Sequence, residues 1–277
     1  MKHLSILLAA GSMTFALNAG AALVNLPFDD PAQYDENFWL PNAEKDVVWS
    51  DSPGRVVKKD LEGGAGYVIY NSHATGGSGG NGGTAPGTQL DKFQNFVIQA
   101  DFRANSVNNT GNSLGFYVKG SDDLDTGYFA VFRLTDSSTQ DAGNADFRVW
   151  GPNSNPVTGS LGSTLLASTS FGPTTDYSTG GWYTFRLEVL DVDGTVKLIA
   201  SILDAATDTQ IGETIEYSHS GGTAILGAGQ VGIRLGTGGT TGSTAFDNFE
   251  IAAIPEPSAG LLSALGLGLC FRRRKAA

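Results

Sequence analysis

Three groups of residues have the types and spacing to do chemistry. The first is Ser121-Asp122-Asp123-Leu124-Asp125. Clustered oxygen ligands on a loop suit Ca²⁺, which makes Asp122, Asp123 and Asp125 candidate metal ligands. A solvated turn explains the same string, because Asp is favoured in turns. The second group stands at alternate positions of short apolar runs: Asp101, Arg103, Tyr117, Lys119, Arg148, Trp150, Arg186 and Glu188. If the apolar partners Phe96, Ile98, Leu114, Phe116, Val118, Phe147, Val149, Phe185, Leu187 and Val189 face a core, this group faces outward. Sugar rings stack on aromatic planes and charged groups bond hydroxyls. Arg103, Tyr117, Arg148, Trp150, Arg186 and Glu188 are therefore candidate ligand-binding residues. A wet outer face with cross-strand ion pairs is the alternative. The third group is His73 and His219, each in a polar Gly/Ser context. Their spacing reads as loop histidines rather than a metal pair.

Paired-carboxylate and zinc-protease strings are missing, and no catalytic residue is assigned. Retaining glycoside hydrolysis needs two carboxyls about 5–5.5 Å apart, which a strand can offer from positions four apart. Glu44-Lys45-Asp46 begins such a string, but Trp49 stands where the further acid would be. Glu188 and Asp191 have the wrong parity to share a strand face. No His-Glu-x-x-His string occurs. The residues lean away from an enzyme.

The elements that must position these groups are short strands. Runs of period two, bounded by Gly, Asn, Asp and Ser, recur along the chain. They are Phe96 to Phe102, Leu114 to Val118, Tyr128 to Leu134, Phe147 to Val149, Trp182 to Val189, Val196 to Leu203, Thr214 to Tyr217, Val231 to Leu235 and Phe246 to Ile251. Edge strands are expected around Leu26-Phe28, Val47-Trp49 and Tyr67-Tyr70, and a glycine-rich loop over Gly76 to Gly87. Asp191-Val192-Asp193-Gly194 predicts a tight hairpin. It is no EF-hand loop, because position 12 is Ile202 rather than a glutamate. Many short strands in one domain predict an all-β, antiparallel two-sheet sandwich of jelly-roll type.

The two ends of the chain differ from its middle. Lys2 and His3, an apolar run from Leu4 to Leu17, and Ala19-Gly20-Ala21-Ala22 predict a signal peptide over 1–22, cleaved near Ala21 or Ala22. At the other end, Pro255-Glu256-Pro257 breaks regular structure. Thirteen nearly all apolar residues follow, Ala259 to Phe271, and then Arg272-Arg273-Arg274-Lys275. Thirteen is short of the roughly 20 that a spanning helix needs, so a short hydrophobic helix and a temporary membrane hold are expected. The sandwich is expected over 23–253 and the tail over 254–277. The whole chain carries a net charge of −11. Without the two end segments, 12 basic residues face 27 acidic ones, a net charge of −15. Such a surface repels nucleic acid and anionic membranes. The single cysteine, Cys270, lies in the tail, so the middle has no disulfide and must be held by its core.

Pro255, Glu256, Pro257, the apolar segment and the Arg272, Arg273, Arg274 cluster resemble the PEP-CTERM sorting signal of Gram-negative bacteria. The resemblance implies recognition by an exosortase-type membrane enzyme and removal of the tail. The protein then passes to the cell surface or the exopolysaccharide matrix.

The middle resembles the concanavalin A-like lectin/glucanase superfamily, laminin-G-like domains in particular. The resemblance lies in Gly115-Phe116-Tyr117-Val118, in Tyr128 to Leu134, in Gly181-Trp182-Tyr183-Thr184-Phe185-Arg186-Leu187, in the Asp193-Gly194 hairpin and in Phe246-Asp247-Asn248-Phe249-Glu250-Ile251. It covers about 90–253. It implies a glycan-binding or structural sandwich, with polysaccharide as partner and calcium at its rim. A glycoside hydrolase or lyase of the same superfamily is the alternative.

Overall fold

The computed structural model describes residues 22–30, 32–33, 37–39, 47–50, 56–59, 64–70, 91–104, 112–134, 144–156, 164–173, 181–237 and 244–254. All of the expected signal peptide but Ala22, the loop at Gly76 to Gly87, His73 and the whole tail from Pro255 onward lie outside the described residues. Among the described residues no helix is long and apolar enough to cross a membrane.

The strands are β1 (Ala22–Leu26), β2 (Phe38–Trp39), β3 (Val47–Ser50), β4 (Val56–Lys59), β5 (Gly64–Tyr70), β6 (Phe96–Ala104), β7 (Asn112–Gly120) and β8 (Tyr128–Leu134). Then come β9 (Asn144–Trp150), β10 (Leu165–Pro173), β11 (Trp182–Val192), β12 (Thr195–Asp204), β13 (Thr209–Ser220), β14 (Gln230–Thr237) and β15 (Thr244–Ala253). Sheet A runs β13-β12-β11-β6-β15-β4-β3, with β1 also paired to β15; sheet B runs β10-β9-β8-β7-β14-β5-β2. All these strand pairings are antiparallel. The expected all-β jelly-roll sandwich is the observed fold. β6 lies between β11 and β15, and β14 between β7 and β5, a crossed order that a simple meander would not give.

Alternation builds the core between the sheets. Tyr183, Phe185, Leu187 and Val189 of β11 point inward beside Val196, Leu198, Ala200 and Ile202 of β12. Leu114, Phe116, Val118, Phe132, Phe147 and Val149 come from sheet B to meet them. Phe116 stacks on Phe185 across the gap, with ring centres 5.0 Å apart and planes 2° from parallel. Phe102 of sheet A meets Phe132 of sheet B edge-on at 5.6 Å. Each such ring contributes about 1.5–3 kcal/mol by burial. The β11–β12 hairpin has Asp193 at φ 50° and Gly194 at φ 75°, the two positive angles of a type I′ turn.

Two expectations are corrected, and one strand was not expected. β1 ends at Leu26, before the expected Phe28, which turns to φ 51° and puts its ring edge-on to Phe246 at 5.3 Å. β10 was not legible, since its Ser/Thr-rich sequence lacks alternating large apolar residues; Phe171 is its buried anchor. Lys119 does not face outward from β7. At φ 59° it leaves the alternation and is fully buried at the sandwich end. Its Nζ donates to the carbonyls of Gln94 at 2.9 Å and Gly227 at 2.7 Å, and lies 2.8 Å from Asp191 Oδ1. Burial pulls the lysine pKa down, and Asp191 opposes that.

The first and last strands share one end of the molecule. Ala22 pairs with Ala252, and Ala253 pairs with Phe96, which also faces Val189 near the β11–β12 hairpin. Both chain ends of the sandwich therefore leave from one pole, the pole that Lys119 fastens.

Candidate functional site

The outer face of sheet A is built by the residues that alternate with the core. β6 presents Gln99, Asp101 and Arg103, and β11 presents Trp182, Thr184, Arg186 and Glu188. In β15 the register steps from Asp247 opposite Asp101 to Glu250 opposite Gln99, so two residues, Asn248 and Phe249, stand against the single Ala100 in a bulge of one extra residue. One of them, Asn248, takes φ 48°. A short polar side chain tolerates that angle, and here it swings Asn248 back over Asp101. The result is an open depression of about 420 Å³ whose lining includes Gln99, Asp101, Thr184, Arg186, Asn248 and Glu250. Asn25 of β1 and Asp208, beyond β12, rim it.

The floor of this depression is held by its own hydrogen bonds. Thr184 Oγ1 donates to Asp101 Oδ1 at 2.5 Å, and Asn248 Nδ2 donates to Asp101 Oδ2 at 2.7 Å. Gln99 Nε2 donates to Glu250 Oε2 at 2.9 Å. Arg186 Nη2 donates to Glu188 Oε1 at 3.2 Å. Next to it the Arg103 guanidinium lies over the Trp182 ring, 5.9 Å from its centre, a cation–π contact that orients both groups. Asp247 is pushed up to about 6, mainly by burial; the Asn248 N–H works against this, and the Asp101 and Asp29 charges add to it. Fixed acceptors and donors on rigid strands, beside an indole plane, suit a polyhydroxylated ligand.

The six residues expected to share one ligand face are divided between two. Arg103, Arg186 and Glu188 lie on sheet A. Tyr117, Arg148 and Trp150 lie on the outer face of sheet B, across the core. That face is mostly covered. Tyr67, Ile69, Tyr117, Leu124, Phe129 and Val131 form a second apolar cluster, with Trp150 packed against it. Tyr117 is fully buried, and its hydroxyl donates to the Thr126 carbonyl at 2.5 Å. Burial drives the phenol pKa strongly upward, and Asp123 and Asp125 add to the shift. Gly120 and Gly127 flank the ring so closely that a Cβ on either would come within 2.4 Å of it. Arg148 Nε donates to Asp146 Oδ2 at 2.8 Å, and Arg133 forks onto the same carboxylate at 3.1 and 3.2 Å. On this face the cross-strand ion-pair alternative describes the geometry.

The carboxylates of the acidic loop also have local partners. Asp122 pairs with Lys92 at 2.5 Å. Asp123 Oδ1 accepts from Ser121 Oγ and from the Asp125 N–H. Asp125 Oδ1 accepts from Asn155 Nδ2 at 2.6 Å. The three carboxylates take three different partners and do not converge on one calcium. Among the described residues no three His, Cys, Asp or Glu side chains group to hold a metal ion. His219 is not in a loop: it is the next-to-last residue of β13, with Nδ1 2.7 Å from the Tyr128 hydroxyl.

Gln99, Trp182, Thr184, Asn248 and Glu250 were missed as site residues. Trp182 and Thr184 share the parity of Arg186 and Glu188, and Gln99 that of Arg103, so parity alone would have found them. Asn248 and Glu250 are hidden by the bulge, which breaks parity.

Against this geometry, comparison with solved structures gives the fold. The legume lectin-like domain from Entamoeba histolytica matches with a TM-score of 0.50 at 11% identity, over 84% of this chain and 97% of that one. The fold is that of a legume lectin-like, concanavalin A-like sandwich. Lectin II from Ulex europaeus matches at 0.48 with 11% identity, over 83% of this chain and 97% of that one. The carbohydrate-binding module CBM66 from Bacillus subtilis matches at 0.44 with 12% identity, over 78% and 96%. No protein-family model matches the sequence, and no curated protein matches it.

Proposed function

We propose that this protein is an exported, glycan-binding surface or matrix protein whose ligand seat is the outer face of sheet A. The observation that carries the reading is the depression of about 420 Å³ whose acceptors and donors are already held in place. Such a seat binds without first ordering its own side chains, which lowers the entropic cost of capture. The amoebal domain of the same fold is described as legume lectin-like, in agreement with this reading. Export rests on the N-terminal segment 1–22. Sorting rests on Pro255, Glu256, Pro257 and Arg272, Arg273, Arg274, with an exosortase-type membrane enzyme as the processing partner. The destination is the cell surface or extracellular polysaccharide of a Gram-negative bacterium. A glycan array probed with the exported protein tests the binding. Binding that falls at least tenfold in Arg186→Ala and Trp182→Ala supports the seat; no binding to any glycan sinks it.

A second reading has one observation behind it. Asp101 and Asp247 face each other across β6 and β15, and Asp247 is pushed up to about 6. Two carboxyls in unlike environments are the raw material of general acid catalysis. Release of reducing ends from a polysaccharide panel, abolished in Asp247→Asn, would favour a hydrolase.

A further inference from the structure

The pole where the chain ends meet is also where large apolar side chains are left exposed. The described residues include four exposed large hydrophobics: Leu23, Leu165, Val192 and Leu226. Leu23 lies beside Lys92, Phe93 and Ile254 around a small pocket. Val192 is in the β11–β12 hairpin, directly after Asp191. Leu226 is tied to that hairpin, because the next residue, Gly227, donates its N–H to Asp191 Oδ2 at 2.8 Å. Lys119 fastens the same segments through Asp191, Gln94 and Gly227. Leu165 opens β10 opposite Trp150 at this same end, on the far edge of sheet B. The exposed apolar residues thus ring one end of the sandwich, where a buried ion pair clamps the end of β11 to the segment that carries Leu226.

The chain length beyond Ile254 sets what this end can reach. Only Pro255, Glu256, Pro257 and Ser258 separate Ile254 from the apolar run that starts at Ala259. Even fully extended, the steps from residue 254 to 259 span at most about 18 Å. A tail seated in a bilayer therefore holds the pole within that distance of the lipid. From Val192 back to Arg186 are six strand residues, roughly 20 Å along β11. The Arg186 end of the depression thus lies farther along the sheet from the pole, while its rim at Asn25 stands two residues from Leu23.

We infer that, while the tail is still attached, the sandwich rests pole-down on the lipid surface through Leu23, Val192 and Leu226, with the Arg186 end of the sheet A depression held away from it. The inference rests on the reading of the tail as a membrane hold. The lipid it fits is zwitterionic. Asp193 at the hairpin tip and Asp122 beside Lys92 would be repelled by an anionic headgroup layer.

The test uses the chain with its tail retained, reconstituted in phosphatidylcholine vesicles that carry a lipid-phase quencher. Cys270, the single cysteine, takes a fluorophore as the reporter of the tail. In a Cys270→Ser background, Leu23→Cys, Val192→Cys and Leu226→Cys report the pole, and Asp208→Cys reports the opposite end. All four labelled domain positions are exposed, and circular dichroism of each labelled chain checks that the fold is kept. The expected result is quenching at 270, with quenching at 23, 192 and 226 several-fold above that at 208 and weakened when phosphatidylglycerol is added. Quenching at 270 with the pole no different from 208 overturns the inference and leaves the tail reading standing. No quenching at 270 overturns both.

Discussion

The outer faces of the two sheets start from the same period-two alternation and end as different surfaces. On sheet A the outward positions are Gln99, Asp101, Thr184 and Arg186, and they line an open depression. On sheet B the outward positions of β5, β7 and β8 are Tyr67, Ile69, Tyr117, Phe129 and Val131, and they form a second core. The turn after β7 folds over them, and Leu124, at φ 60° and nearly fully buried, is its plug. Alternation tells which side chains share a face. Whether that face is wet depends on residue type, and aromatic and β-branched residues at outward positions mark a face that something covers.

The largest expected effect tests that covered face. Tyr117→Ala removes a fully buried ring, held between Gly120 and Gly127, together with its bond to Thr126. The expected cost is about 3–5 kcal/mol in denaturant unfolding, the range for large-to-small changes in a core. A cost below about 1 kcal/mol would mean that the sheet B cluster is ordinary surface. Trp182→Ala on the other sheet removes a ring that is only partly buried. It should cost no more than about 1 kcal/mol.

The next effect reverses the comparison and reads binding in place of stability. Arg186→Ala strips a donor from the depression and leaves Glu188 without its partner. Titration calorimetry against a glycan found on the array should show affinity at least tenfold weaker, about 1.4 kcal/mol. Unfolding midpoints should barely move, because the Arg186–Glu188 pair is solvated. A variant that keeps full affinity would remove Arg186 from the seat.

Much of the sandwich was legible, and the reasons for the gaps are physical. β8 falls on Tyr128 to Leu134 as expected, because every residue there is apolar or β-forming apart from Arg133. The Asp193-Gly194 turn was legible because the pair tolerates the two positive φ angles that a tight hairpin demands. β10 was not, because an edge strand needs only one anchor, Phe171, and can carry serine and threonine elsewhere. The site was half legible. Arg186 and Glu188 follow from parity, but three of the six expected ligand residues belong to the opposite face. Sequence alternation does not say which sheet a strand joins; the crossed order that sends β7 and β9 to sheet B does. Asn248 was beyond reach, since only a bulge turns it onto Asp101.

A smaller effect separates the faces by pH. Asp247 has its pKa pushed up to about 6 from a usual 3.8. Its folded-state pKa is raised, so the folded protein binds the extra proton between those values. The stability that this proton brings is fully present below about pH 4 and is lost as pH rises through 6. Asp247→Asn keeps an oxygen to accept from the Asn248 N–H and removes the charge. The variant should gain on the order of 1 kcal/mol over the parent at pH 7.5, after discounting for partial exposure. Near pH 4 the gain should vanish. Thermal unfolding across that range reads it directly, and a pH-independent difference would mean that the carboxylate is not held in the low-dielectric floor between β6 and β15.

The smallest effect falls on what remains polar on sheet B. Arg148→Ala removes one of two arginines on Asp146, while Arg133 keeps its fork on that carboxylate. Asp146 is therefore never left unpaired, and the penalty of an orphaned charge does not arise. Both arginines are partly exposed, so the lost pair is worth about 0.2–1 kcal/mol. Glycan affinity should stay within a factor of two of the parent, about 0.4 kcal/mol. A tenfold loss in Arg148→Ala would move the ligand seat to sheet B. It would then have to rest on Arg148 and the partly buried Trp150, because Tyr117 is sealed under the turn and has no surface left to offer a sugar.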